Sequence, residues 1–320
     1  MSFKSVPIIF IFFFAFCQKG FSQKFTNAPS YRDFSQKTYF RLNFDNDFFT
    51  HSDDNYTQGI SLEFVDPIFE KNPLNFIFLD SEASDQYGIA LEHVSFTPDV
   101  ISSKDIQYGF RPFAAALYLK LFKTESRIKN KSRLYSSFTA GVIGPMAYGE
   151  EGQSYIHEIT DNWIPYGWGN QLSNDIILNY EVKHEKNLLD LGELFYLNTD
   201  AGLRLGSMYT DISAGTTAIL GLFNSGLNES THYRKFQVYC YANPKLYLVG
   251  YDATLQGGLF SESVYTIKSS EVSRIKGQMD YGLVIKNKYV YFEYTFSTIT
   301  KEFESGRAEN WGGFRLGFRI

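Results

Sequence analysis

The chain has 320 residues, a formal net charge of −5 and no basic run of the kind that binds phosphate backbones, which predicts no nucleic-acid partner. Aromatic residues make up 18 % of the sequence, yet the mean hydropathy is −0.23. Many aromatics without overall hydrophobicity fit a protein that meets lipid on one face and water on the other.

The N-terminus carries a secretory pattern. Lys4 supplies a positive start, Val6 to Phe16 an apolar core, and Gly20 and Ser22 small residues for cleavage. The pattern predicts a signal peptide over residues 1–22 and one domain over residues 23–320. A lipoprotein reading at Cys17 fits poorly, because Phe14 and Phe16 stand where small residues are usual. The apolar core is too short to span a bilayer as a helix, and no later segment is long enough. Export leaves Cys240 as the one cysteine of the mature chain, so no internal disulfide is expected.

Residues 24–35 are polar and read as a short periplasmic tail. A hairpin follows. Phe40, Leu42 and Phe44 alternate with Arg41, Asn43 and Asp45, and after the turn Ile60, Leu62 and Phe64 alternate with Ser61 and Glu63. Period two marks a strand with one apolar and one polar face. The turn between them holds the densest run of side-chain oxygens in the chain, Asn46, Asp47, Asp53, Asp54, Asn55 and Thr57 among them. Hard oxygens in such number suit Ca²⁺ or Mg²⁺. They equally suit a plain polar turn, which favours Asp and Asn.

Alternation resumes at Tyr87 to His93, from Phe110 through Leu119, and at Leu134 to Ile143. Further runs lie at Ile176 to Val182, Leu194 to Leu205, Ser213 to Phe223 and Phe236 to Leu248. The last runs are Ile275 to Ile285, Val290 to Phe296 and Phe314 to Ile320. The count is about twelve strands, joined by turns alternately short and long, as in a bacterial outer-membrane barrel. A soluble sandwich would use shorter strands and need fewer aromatics. Pro244 inside a strand is unusual for a barrel wall. The fold expected is therefore all-β, an antiparallel transmembrane β-barrel with a short loop helix.

That helix is predicted between Gly152 and Pro165. Ile156, Ile159 and Trp163 recur at helical spacing, and Gln153 and His157 share another face. A histidine on a loop helix beside a cleft is the natural general base at neutral pH, and equally an ordinary surface histidine. Gly152 to Ile156 lacks the second glycine of a nucleophile elbow, so Ser154 is not assigned as a nucleophile. His51 lies in the oxygen-rich turn, while His93, His184 and His232 have no evident partner.

Four stretches, taken together, resemble the lipid A 3′-O-deacylase family. Asn46-Asp47-Phe48-Phe49 with Tyr56-Thr57-Gln58-Gly59 is similar to its first signature. Gly144-Pro145, a Gly-rich acidic run and Gln153 four before His157 are similar to its second. Arg111-Pro112 matches a third, although Phe110 replaces its acidic residue. Thr300-Lys301-Glu302-Phe303 resembles a fourth, and Ile320 stands where such barrels usually end in an aromatic.

The resemblance implies a monomeric esterase in a Gram-negative outer membrane that removes the 3′-linked acyl chain of lipid A with Ca²⁺. It implies Asp47 and Asn46 as metal ligands, and His157, Asn46, Thr57 and Gln153 as catalytic residues. Arg111 and Lys104 would hold the lipid A phosphate or ester. A phospholipase-like hydrolase and a non-catalytic barrel acting as pore or scaffold remain alternatives.

Overall fold

A computed structural model describes residues 26–34, 36–50, 55–79, 84–192, 194–227 and 234–320. The predicted signal peptide and the turn residues His51, Asp53 and Asp54 lie outside the described residues, as does His232. The first six strands are β1 (Tyr39–Asn46), β2 (Asn55–Val65), β3 (Ser84–Thr97), β4 (Ala114–Arg127), β5 (Ser132–Ile143) and β6 (Asp175–Asp190). The other six are β7 (Phe195–Gly206), β8 (Tyr209–Leu222), β9 (Phe236–Asp252), β10 (Ile275–Asn287), β11 (Val290–Ile299) and β12 (Glu309–Arg319). Each pairs antiparallel with its neighbours in sequence, and β1 closes on β12 from Tyr39↔Arg319 to Asn46↔Gly312. The expected barrel of about twelve strands is thus a closed barrel of twelve.

The alternation sorts the faces in the sense that lipid demands. Leu62, Leu91, Leu119, Leu178, Leu203 and Leu246 are exposed on the outside of the wall. Arg41, Glu63, Glu92, Asn243, Glu293 and Arg315 are buried inside it. Polar groups line the lumen because the outer surface must be apolar. Among the described residues no helix is long and apolar enough to cross a membrane, and the strands do the crossing.

Residues 26–34 are not a tail. They fold back into the lumen at the end where both described termini lie. Tyr31 is fully buried and stacks on Tyr241 at 4.0 Å between ring centres. Ser30 donates to Glu185 through its backbone at 2.7 Å and its hydroxyl at 2.8 Å. The Tyr239 hydroxyl donates to the Tyr31 carbonyl at 2.5 Å. The segment is polar because its partners are lumen charges, which is why composition alone made it look like a solvated tail.

Pro244 is accommodated by its neighbour. The β8–β9 ladder pairs Gly215 with Lys245 and Ala218 with Ala242 and is interrupted between them. Proline has no N–H to offer there. The Asn243 side chain donates instead to the Thr216 carbonyl at 2.8 Å and to the Thr217 hydroxyl at 2.7 Å. β4 begins at Ala114 rather than near Phe110, because Arg111 turns into a buried ion pair before the strand starts.

Glu293 is the centre of the lumen network. It is fully buried and accepts from Arg32 Nε at 3.1 Å, Arg315 Nη1 at 3.0 Å, Tyr241 Oη at 2.5 Å and Tyr291 Oη at 2.7 Å. Removing it would leave two guanidinium groups without this buried counter-charge. Glu293→Ala should therefore cost about 3 kcal/mol or more. The measurement is the gel-mobility difference between unboiled and boiled protein, followed through a urea titration. The folded band of the variant should disappear at lower urea than that of wild type.

Candidate active site

The oxygen-rich turn follows β1 at the end of the barrel opposite the termini, and at the same end the loop helix lies on the outer face of the wall, over Ala115 of β4 and Gln58 of β2. β1 stops at Asn46, and a 3₁₀ turn, Asp47–Thr50, follows. Asn46 Nδ2 donates to the Thr57 carbonyl at 2.6 Å, and its Oδ1 accepts from the Phe48 N–H at 2.8 Å. One side chain thus ties β1 to β2 and starts the turn that carries Asp47. Asp47 is buried, at 5 % exposure.

The β2–β3 register shifts between Tyr56 and Gln58, so Thr57 sits at a bulge. Bulges re-aim side chains at barrel rims and beside active sites. Here the Thr57 and Thr97 hydroxyls lie 2.8 Å apart. Gln58 pairs with Asn46 on β1 and Ser95 on β3, and shares the outward row of Ile60 and Leu62. Ser95 and Gln58 are buried although they point away from the lumen, because the connection over residues 144–174 covers them.

That connection carries α1 (Gly149–Ile159). Gly144 (φ 100°) and Tyr148 (φ 58°) turn the chain in left-handed conformations before the helix starts. Glu150 and Glu151 then suit the positive end of the helix dipole. Asp161 (φ 54°) ends it, and the Asn162 N–H caps the His157 carbonyl at 2.8 Å. Gly152 therefore lies within the helix rather than bounding it.

The close approach of α1 to the wall depends on glycine. A methyl group on Gly149 would lie 2.4 Å from Ala115 Cβ and 2.6 Å from the Trp168 ring. One on Gly152 would lie 4.0 Å from Gln58 Nε2. The helix thus runs from above β4 towards β2. Its buried residues are Gly149, Gln153 and His157, spaced by four. The stripe of Ile156, Ile159 and Trp163 points the other way and is exposed, as is Tyr155. Gln153 and His157 face the wall, while the apolar Tyr155, Ile156 and Ile159 are exposed together with Glu150, Glu151 and Glu158, so the apolar stripe is not what the helix buries.

Gln153 Oε1 accepts from Trp168 Nε1 at 2.7 Å, and both side chains are buried. His157 Nδ1 lies 2.5 Å from the Trp163 carbonyl oxygen. A carbonyl only accepts, so Nδ1 carries the hydrogen, and in the neutral ring the lone pair sits on Nε2. Lys104 is exposed beside the same loop, its ammonium 5.4 Å from the Tyr166 ring centre. Asn170 Nδ2 holds the Lys104 carbonyl at 2.8 Å.

Arg111 does not join this group. It is 1 % exposed, ion-paired with Glu302, bonded to Thr254 Oγ1 at 2.6 Å and stacked over Phe96. Burial opposes its charge, but Glu302, with Glu309 and Asp252, raises its pKa above the ordinary arginine value. The guanidinium stays charged and turned inward, where an external phosphate has no access to it. His93, without an evident partner in the sequence, faces outward on β3 and hydrogen-bonds the Ala147 backbone under the same connection.

Gln58, Ser95, Thr97 and Trp168 belong to the site and were not singled out from sequence. Gln58 stood unmarked inside the Tyr56–Gly59 stretch. Ser95 and Thr97 carry no local mark, because strand register places them, and Trp168 comes in from the turn after the helix.

The chemistry available is hard oxygen at the end of β1 and an imidazole on α1. Among the described residues, no group of three or more His, Cys, Asp and Glu side chains surrounds a common point. Asp47 offers a carboxylate, and Asn46 Oδ1 retains a second lone pair beyond its bond to Phe48. Asp47 and Asn46 are neighbours in sequence, and hard oxygen donors of this kind would suit Ca²⁺ better than zinc, with carbonyls or waters completing the shell.

The sequence profile of a family described as outer membrane protein LpxR matches residues 8–320. Among solved structures, LpxR from Salmonella typhimurium is similar with a TM-score of 0.73 at 19 % identity, over 88 % of this chain and 100 % of that one. The β domain of the Bordetella autotransporter BrkA gives a TM-score of 0.44 at 10 % identity, over 88 % of this chain and 97 % of that one. No curated protein matches.

The packing of α1 is testable by overfilling its closest contact. Gly149→Val should push the helix off Ala115 and Trp168, at a cost of about 1–3 kcal/mol. Cleavage by a glutamate-specific protease within α1 should accelerate, while the barrel keeps its unboiled mobility. Gly169→Ala, where nothing lies within 4 Å, should behave as wild type.

Proposed function

We propose, since this chain belongs to the outer membrane protein LpxR family, that it is an outer-membrane esterase removing the 3′-linked acyl or acyloxyacyl chain of lipid A. One observation carries the reading: His157 is buried against the wall with Nδ1 fixed by the Trp163 carbonyl. That bond presets the tautomer whose Nε2 can accept a proton.

The helix path supports the partnership with the turn. A helix advances about 1.5 Å per residue, so α1 gains about 7 Å between Gly152 and His157. Strands lie about 4.8 Å apart. A helix whose Gly152 lies near Gln58 on β2 therefore carries His157 towards the end of β1, where Asn46 and Asp47 stand.

In this reading His157 Nε2 takes a proton from water, and the water oxygen attacks the ester carbonyl carbon. The bond from that carbon to the sugar oxygen then breaks, and the proton passes from Nε2 to the departing hydroxyl. The products are a fatty acid and a lipid A with a free 3′ hydroxyl. Ca²⁺ held by Asp47 and Asn46 would supply positive charge where the carbonyl oxygen becomes negative. Thr57 and Gln58 line the wall side and orient water or substrate. Gln153, anchored on Trp168, keeps the helix at the right height. Lys104, exposed beside the loop, would meet a phosphate, and Arg111 supports the loop from within. The exposed Tyr155, Ile156, Ile159 and Trp163 suit a substrate that arrives in the plane of the outer leaflet.

The test is mass spectrometry of lipid A and of phospholipids after incubation with refolded protein. Wild type should shorten lipid A and leave phospholipids intact. His157→Ala should lose about 10²-fold or more of the rate while the barrel folds, and His157→Asn should be no better. His51→Ala should keep activity. Near-wild-type turnover by His157→Ala would remove the histidine from the mechanism.

A metal requirement follows separately. Excess chelator should abolish deacylation, and Ca²⁺ should restore it. Asp47→Ala should resemble chelated wild type, and full activity in chelator would eliminate the ion.

A further inference from the structure

The opposite end of the barrel carries a second polar feature, whose charged lining residues are all basic. Both described termini and the short turns at residues 128–131, 191–194 and 288–289 lie at this end, which is the periplasmic face of an outer-membrane barrel. On the outer wall there, a cleft of about 480 Å³ is lined by Arg127, Lys129, Lys131, His184, Lys186 and polar neighbours. None of its lining residues is acidic. Glu125 stands behind Arg127 at 3.5 Å and balances one charge of the set.

The cleft has a fixed floor. Lys131 adopts a left-handed conformation (φ 50°), and its carbonyl accepts from the Asn187 N–H at 2.9 Å. Asn187 Nδ2 donates to Leu189 O at 3.1 Å and Asn198 Oδ1 at 2.8 Å, beside a bulge in β6. The surroundings are apolar. Ile128, Leu188 and Leu189 are exposed next to the cations. Residues 75–79 cross the wall nearby, where the Ile77 carbonyl accepts from Tyr180 Oη at 2.6 Å, and they expose Phe76 and Leu79.

We propose that this cleft binds the phosphate headgroup of an anionic phospholipid in the periplasmic leaflet, with its acyl chains against the apolar rim. Cations at the headgroup level with hydrophobic surface beside them match such a lipid in both parts. A free anion would use only the first part. Arg127, His184 and Lys186 lie on the outward rows of β4 and β6, and Lys129 and Lys131 on the turn beside them, so the basic groups converge at the end of the wall, where a headgroup would meet them.

The experiment is native mass spectrometry of the refolded barrel in neutral detergent with phosphatidylglycerol or phosphatidylcholine. Phosphatidylglycerol should be retained in preference. The double variant Lys129→Glu/Lys186→Glu should bind it about tenfold more weakly or worse. The pair Lys268→Glu/Lys301→Glu, of equal charge change at the other end, should bind as wild type. The mobility of unboiled protein checks that each variant is folded. Equal retention of both lipids, or equal loss in both variant pairs, would overturn the proposal. So would displacement of the lipid by millimolar inorganic phosphate, which would reduce the cleft to a simple anion site.

Discussion

A closed antiparallel ladder in lipid leaves no backbone group to spare. Every N–H and C=O at membrane depth must pair with a neighbouring strand, since the hydrocarbon offers no partner. The β1–β12 seam satisfies this last requirement and makes the barrel complete. Closure also leaves only two kinds of surface. Inward positions meet the filled lumen, and outward positions meet lipid. A polar residue on the outward row, such as Gln58 or Ser95, is tolerated only under cover. The connection over residues 144–174 is that cover.

The same loop is held from inside. Arg111 reaches Glu302 in the β11–β12 connection and Thr254 after β9. Lys276 meets Glu302 at 2.8 Å, Arg307 meets Asp99 at 2.5 Å, and Tyr265 Oη donates to the Phe110 carbonyl at 2.8 Å. Three connections are thus clasped at this end. Two residues along from Arg111, Phe113 packs on Trp168 with ring centres 5.1 Å apart. Trp168 in turn donates to Gln153 on α1. Ionic contacts at the lumen mouth therefore reach the outer helix through two aromatic rings. An arginine with no access to substrate still bears on where the helix sits.

The strands were legible because period two is imposed by geometry and survives any change of partner. The turn at Asn46 and Asp47 and the pairing of Gln153 with His157 were legible for the same local reason. What escaped was set by partners distant in sequence. Residues 26–34 looked like a tail because their complements, Glu185 and Glu293, lie far along the chain. Arg111 looked like an anion site because its own anion, Glu302, is just as distant. Pro244 argued against a wall strand, and the side chain beside it removed the objection. The sequence pattern sets Thr57 in the hairpin turn, whereas β2 already starts at Asn55 and the bulge at Thr57 appears only when β2 is laid against β3.

The orientation of α1 is the most instructive difference. A soluble helix buries its apolar stripe because water surrounds the protein. Here the surroundings of the wall are apolar, so the stripe of Ile156, Ile159 and Trp163 stays outside and Gln153 and His157 go in. The inversion has two consequences. It gives the outward polar row of β2 and β3 a polar lid, and it leaves Ile156, Ile159 and Trp163 exposed beside Glu150, Glu151 and Glu158. Burying an imidazole and an amide in this way is costly unless each finds a hydrogen-bond partner. Trp168 and the Trp163 carbonyl are those partners, and the second fixes which ring nitrogen keeps its lone pair. The bond that makes the burial tolerable is thus the bond that leaves Nε2 ready to take a proton.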